Sequence, residues 1–211
     1  MRPGYSVIEA TNWYAYVSNN PVLYVDPTGM ELKWIQGEGV SDEAFEEAKE
    51  MGERIANSDT EAGKRWRAAE KSRRTVRIEV NNEGKNNARP GDNEEVSNQE
   101  YLNSVNSTGG EAYIKFDPEK RGKLAGGISR IPKASLAHEM AHAYLMIEGE
   151  IPRFRKGAEL DATAVENQYR DSIDLPQRQL YGNWAVPQYN SDTNTFNFPG
   201  TNKEYTLREV K

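Results

Sequence analysis

The chain has 211 residues, with 27 Lys and Arg against 33 Asp and Glu for a net charge of -6, which argues against a surface built to wrap phosphate-rich nucleic acid. Cysteine is absent, so disulfides, thiol nucleophiles and thiolate metal ligands are excluded. Hydrophobic residues are 36%, low enough to predict one modest core with long polar loops. No stretch approaches the roughly 20 apolar residues of a membrane span, and the first residues lack the apolar segment of a signal peptide, so export by the general secretory route is not expected.

Residues 1–30 are rich in Tyr and Asn and end in the turn signal Asp26-Pro27-Thr28-Gly29. On physical grounds they read as an N-terminal strand and turn. The segment YAYVSNNPVLYVDPTG, matched from Asn12 to Gly29, also resembles the end of the RHS/YD-repeat core, the β-cage of bacterial polymorphic toxins. In that family the segment closes the core and a variable toxin domain follows. The resemblance implies a boundary near residue 30, with 31–211 as the toxin tip, delivery by a specialised secretion system, and a cognate immunity protein as a partner.

SDEAFEEAKEMGERIAN, residues 41–57, predicts an amphipathic helix with Ser41 as N-cap and acidic residues in its first turn. A second, basic helix is expected over about 60–72, capped by Asp59, with its cations on a solvated face. Val76, Ile78 and Val80 alternate as in a half-buried strand. The Asn-rich stretch 81–110 is long for a structureless loop, and Ser97 with Glu100 forms a capping box for a short helix within it. Ala112, Ile114 and Phe116 mark a second strand, and the tail beyond Tyr181 reads as short β pieces.

The chain's only two histidines lie in His138-Glu139-Met140-Ala141-His142. On a helix, residues four apart differ by about 40° in direction, so both imidazoles face one cation. Pro132 suits the helix start and Gly149 its end, with Leu136, Met140 and Tyr144 as a buried stripe. Glu139 is placed to act as general base for a zinc-activated water. A catalytic zinc takes three protein ligands and keeps one position open. The third is sought on the next helix, 157–174, where Glu159, Glu166 and Arg170 share a face. Glu159 is the preferred ligand. Glu166 is the alternative, or a carboxylate orienting an imidazole N–H, and Asp161 is expected on a solvated face. Pro176 is expected to end that helix. Beyond it, Arg178 and Tyr181 are candidate donors to a tetrahedral oxyanion.

LAHEMAHAYLMIEGE, then Glu159, then Glu166-Asn167-x-x-Arg170 and Leu-Pro-x-Arg-x-x-Tyr, is similar to the effector-type zinc metallopeptidases that enteropathogens inject into host cells. The resemblance implies an α+β, zincin-like fold with one Zn2+ per chain, and an endopeptidase acting on a protein of the target cell. The Arg-x-x-Tyr also resembles that of clostridial neurotoxin light chains. Two other classes compete: a structural or adaptor tip whose zinc clamps two helices, and a zinc hydrolase of a small molecule. A closed set of four ligands would favour the first, and an enclosed pocket the second.

Overall fold

The computed structural model describes residues 32–93, 95–201, 203–208 and 210. The expected end of a repeat core, residues 1–30, lies outside them.

The described residues form a mixed α/β fold. A four-stranded sheet is assembled from β1 (Leu32–Gln36), β2 (Val76–Val80), β3 (Asn87–Pro90) and β4 (Ala112–Phe116), in the order β1-β2-β4-β3. The first three of that order run parallel, with Ile78 opposite both Trp34 and Ile114. β3 pairs antiparallel with β4, Ala88 opposite Ile114, and forms the sheet edge. β1 is an element that the sequence reading missed.

The helices are α1 (Asp42–Ala56), α2 (Glu61–Glu70), α3 (Asn98–Val105), α4 (Pro132–Glu148) and α5 (Arg155–Asp171). Ser41 caps α1, and Ser97 and Glu100 close the expected capping box at α3. α2 is capped by Thr60 rather than Asp59. The Thr60 hydroxyl accepts from the Gly63 N–H, the geometry an N-cap requires. α5 ends at Asp171, before Pro176, where Asp174 turns to φ 56°.

α4 is buried along nearly its whole circumference, not on one stripe. It lies among the sheet, α1, α2, α3 and α5, and its Leu136, Met140, Tyr144 and Ile147 join Val76, Ile78, Ile114 and Phe116 in the core. Pro132 occupies the first turn, where its missing N–H costs nothing. Gly149 ends the helix at φ 72°, and a Cβ there would sit 2.4 Å from the Gly109 nitrogen. That close approach and the left-handed turn both need glycine. The result is a rigid rod, fixed at both ends, that carries the two histidines.

Two expectations of solvated faces are corrected. Arg65 on α2 and Asp161 on α5 are both fully buried and pair at 2.5 Å, and Arg65 also donates to the Arg208 carbonyl. This pair binds α2, α5 and the C-terminal tail together, and Arg65 Nη1 also reaches the Ala141 carbonyl of α4. In the tail, β5 (Leu180–Tyr181) pairs with β6 (Trp184–Ala185), and β7 (Gln188–Asn190), β8 (Thr195–Asn197) and β9 (Glu204–Tyr205) form a small antiparallel sheet.

Candidate metal centre

His138 and His142 stand one turn apart on α4, their ring centroids 4.9 Å apart. Across from them α5 presents Glu159. Its Oε2 lies 3.3 Å from His138 Nε2 and 3.4 Å from His142 Nε2. The three residues are the described group of His and carboxylate side chains whose ligand atoms cluster closely enough to share one ion. Two ligands on a tetrahedral zinc with bonds of about 2.0–2.1 Å stand about 3.4 Å apart, so this donor set fits such an ion. All three side chains are nearly buried. Asp161 is instead engaged by Arg65 and is not one of the clustered ligand atoms.

Behind the cluster lies Glu166, 1% exposed. Its Oε1 accepts from Arg170 Nε at 2.7 Å and its Oε2 from Arg178 Nη1 at 2.9 Å. Oε2 also lies 3.2 Å from His138 Nδ1, but too obliquely for a full hydrogen bond. Glu166 therefore faces the back of the imidazole and Glu159 its front. Burial disfavours the charge on His138, but the hydrogen bond to Glu159 and the close negative charges of Glu166 and Glu139 override it and push the imidazole up to about 9 in the metal-free protein. Burial likewise opposes the Glu166 carboxylate, but His138, Arg178 and Arg170 hold it down at about 2.

Glu139 points to the neighbouring side of α4 and lines the cleft beside the cluster. Burial raises its pKa above the ordinary carboxylate range, against the pull of His138 and His142. A carboxylate tuned upward toward neutrality is suited to exchange protons.

Tyr181 reaches the cluster from the strand after α5. Its ring stacks on His138 and on Trp184, and the Arg178 guanidinium lies 4.8 Å from its centroid. Burial and the Glu159 charge push the phenol up to about 12, so its proton stays in place as a donor. Arg178 is thus committed to Glu166 and to the Tyr181 ring. Asn167 holds this segment. Its side chain accepts from Arg178 N at 2.6 Å and donates to the Arg178 and Pro187 carbonyls.

A cleft of about 450 Å³ opens at the cluster. Its walls include Asn86 and the β3 residues Ala88 and Pro90 on one side, and Ile151, Pro152 and Arg155 on the other. Asn86 was not singled out from sequence, where it is one of many asparagines. Its Oδ1 accepts from Asp117 N, while its Nδ2 is buried at the cleft and lacks a partner.

The Peptidase_M91 family model, described as effector protein, matches residues 43–176. That span runs from α1 to just beyond α5 and takes in His138, Glu139, His142, Glu159 and Glu166. The chain belongs to this family. It is a peptidase-type effector, and the effector family implies a protein substrate and delivery into a host or target cell. The match stops short of Arg178 and Tyr181. A comparison with curated proteins finds no match. Among the described residues, no helix is long and apolar enough to cross a membrane.

Proposed function

We propose that the chain is a zinc-dependent endopeptidase with a zincin-like fold, delivered as a toxin tip to cut an intracellular protein of the target cell. His138, His142 and Glu159 hold the metal. The observation that carries this reading is the spacing of those three donors, 3.3 and 3.4 Å between the imidazoles and one carboxylate oxygen, with Glu139 beside them at the cleft.

A divalent zinc held by these three residues would supply Lewis acidity toward a carbonyl oxygen and would make a water easier to deprotonate. Glu139 takes the proton from the attacking water and returns it to the leaving amine. Tyr181 donates its hydroxyl to the carbonyl oxygen as negative charge builds there. Arg178 aids the same oxygen at one remove, by bracing the Tyr181 ring, and Glu166 orients His138 from behind.

The edge strand supports a peptide substrate. β3 pairs with β4 on one side and borders the cleft on the other, so an extended chain laid along it would be held by backbone hydrogen bonds. Three donors with an open side, and a base beside them, weigh against a purely structural clamp. A groove bordered by a strand edge weighs against a small-molecule hydrolase. The resemblance of Asn12 to Gly29 to a repeat-core terminus supports the reading as a toxin tip with a cognate immunity protein.

The test is a comparison of protein termini in a target-cell lysate exposed to zinc-loaded wild type or to Glu139→Gln. New termini confined to the wild-type sample are expected. Identical terminus profiles would contradict the proposal.

A further inference from the structure

The connection from β4 to α4 departs from the acidic character of the chain. Within DPEKRGKLAGGISRIPK, residues 117–133, five cations face only Asp117 and Glu119, in a protein of net charge -6. The segment is ordered by its own hydrogen bonds. Leu124 N donates to Ile128 O and Arg130 N to Gly122 O, while Asp117 accepts from the Gly84 and Glu119 backbone.

This connection walls a second, polar depression of about 240 Å³. The depression meets the peptide cleft at Asn86, His138, Glu139 and Tyr181, which line both. Lys120, Lys123 and Arg130 stand around it. None of the three has a carboxylate within ion-pair distance among the described residues. Lys123 reaches only the Ser129 hydroxyl, at 3.3 Å. Of the two carboxylates in the wall, Glu166 is already neutralised by Arg170 and Arg178, which leaves Glu139 against three cations. Two further donors are buried without partners, Asn86 Nδ2 and Arg178 Nε, on side chains that line the same space. Burial and the neighbouring Arg130 depress the Lys120 ammonium, with Glu139 and Asp117 pulling it back. The clustered cations attract an anion, and the two buried donors without partners are relieved by one. The space has room for one side chain, not a folded partner.

We infer that this depression is a subsite for an anionic side chain of the substrate, a carboxylate or a phosphate, on the Lys120 side of the bond being cut. The inference rests on the endopeptidase reading and adds its specificity: Lys120, Lys123 and Arg130 select an acidic residue close to the scissile bond.

The experiment uses degenerate peptide mixtures that differ only in one fixed residue, Glu, phosphoserine, Gln or Ser. Cleavage by zinc-loaded wild type and anisotropy of the fluorescein-labelled mixtures on Glu139→Gln are both measured. Acidic mixtures should be cut, and should bind, about tenfold better than neutral ones. Lys120→Gln and Arg130→Gln should each remove most of that difference and Lys120→Arg should restore it, while Lys64→Gln on α2 leaves it intact. A preference for phosphoserine over Glu assigns the anion to a phosphate, and a preference for Glu over phosphoserine assigns it to a carboxylate. Equal handling of acidic and neutral mixtures, or a preference untouched by both Gln variants, overturns the subsite. Lys120-dependent binding of acidic mixtures that are never cut would sustain the anion site while refuting the peptidase reading.

Discussion

The ring of Tyr181 lies parallel to that of His138, with centroids 5.8 Å apart and planes within 2°. The stack holds the ring beside the imidazole while the hydroxyl reaches Glu159 and Arg155, so ring packing and hydroxyl chemistry are separable at this residue. Tyr181→Phe keeps the stack and loses only the donor. Zinc content and melting temperature should stay near wild type while turnover falls by roughly 10²–10³, the usual cost of one oxyanion donor. KM should barely move, because the interaction forms only as charge develops. Full activity in Tyr181→Phe would reduce Tyr181 to a packing residue.

Glu166 has a different burden. It is buried between Arg170 and Arg178, and removing it strands two guanidinium groups in the interior. Glu166→Ala should cost about 3–5 kcal/mol of folding stability, read as a shift in denaturation midpoint at unchanged slope. A midpoint unchanged from wild type would show that the arginines find other partners.

The metal-free protein should have a pH-dependent stability that follows from the same charges. His138 is raised from 6.5 to about 9, so its contribution is complete below 6.5 and is lost as pH rises through 9. Glu166 is lowered from 4.5 to about 2, and Glu159 is lowered as well. Their contribution is complete above 4.5 and is lost as pH falls through their native values. Melting temperature in excess chelator should therefore peak between 4.5 and 6.5 and decline toward alkaline pH. A flat profile from about pH 6 to pH 10 would contradict the imidazolium–carboxylate pairing.

Glu139 carries the opposite sign. Its pKa is raised by burial from 4.5, so above that value its ionisation works against the fold. Glu139→Gln should leave the metal-free protein equally or more stable at neutral pH, retain zinc, and lose cleavage by several orders of magnitude. Near wild-type cleavage by this variant would refute the assigned base.

The helix carrying the histidines was legible because its signals are local: Pro132, the four-residue His spacing and Gly149 all act within a few turns. The shared face of Glu159 and Glu166 was legible for the same reason. What was missed depends on contacts distant in sequence. Asp161 reads as an exposed acid on α5 until Arg65, on another helix, is seen to meet it. β1 is short, and its place follows from pairing with β2 in parallel, which leaves no local mark. Asn86 is one asparagine among many until its Oδ1 is tied to Asp117 and its Nδ2 is left at the cleft. The cap of α2 moved from Asp59 to Thr60 because adjacent polar residues offer equivalent caps, and only the backbone path chooses between them.

The central claim is that His138, His142 and Glu159 hold one zinc. The most direct measurement is zinc per chain in purified wild type, His142→Ala and Glu159→Ala after dialysis against a weak chelator. The account predicts about one equivalent in wild type and loss of stoichiometric zinc in both variants. A full equivalent retained by Glu159→Ala would remove the third ligand, and a full equivalent retained by His142→Ala would contradict the site itself.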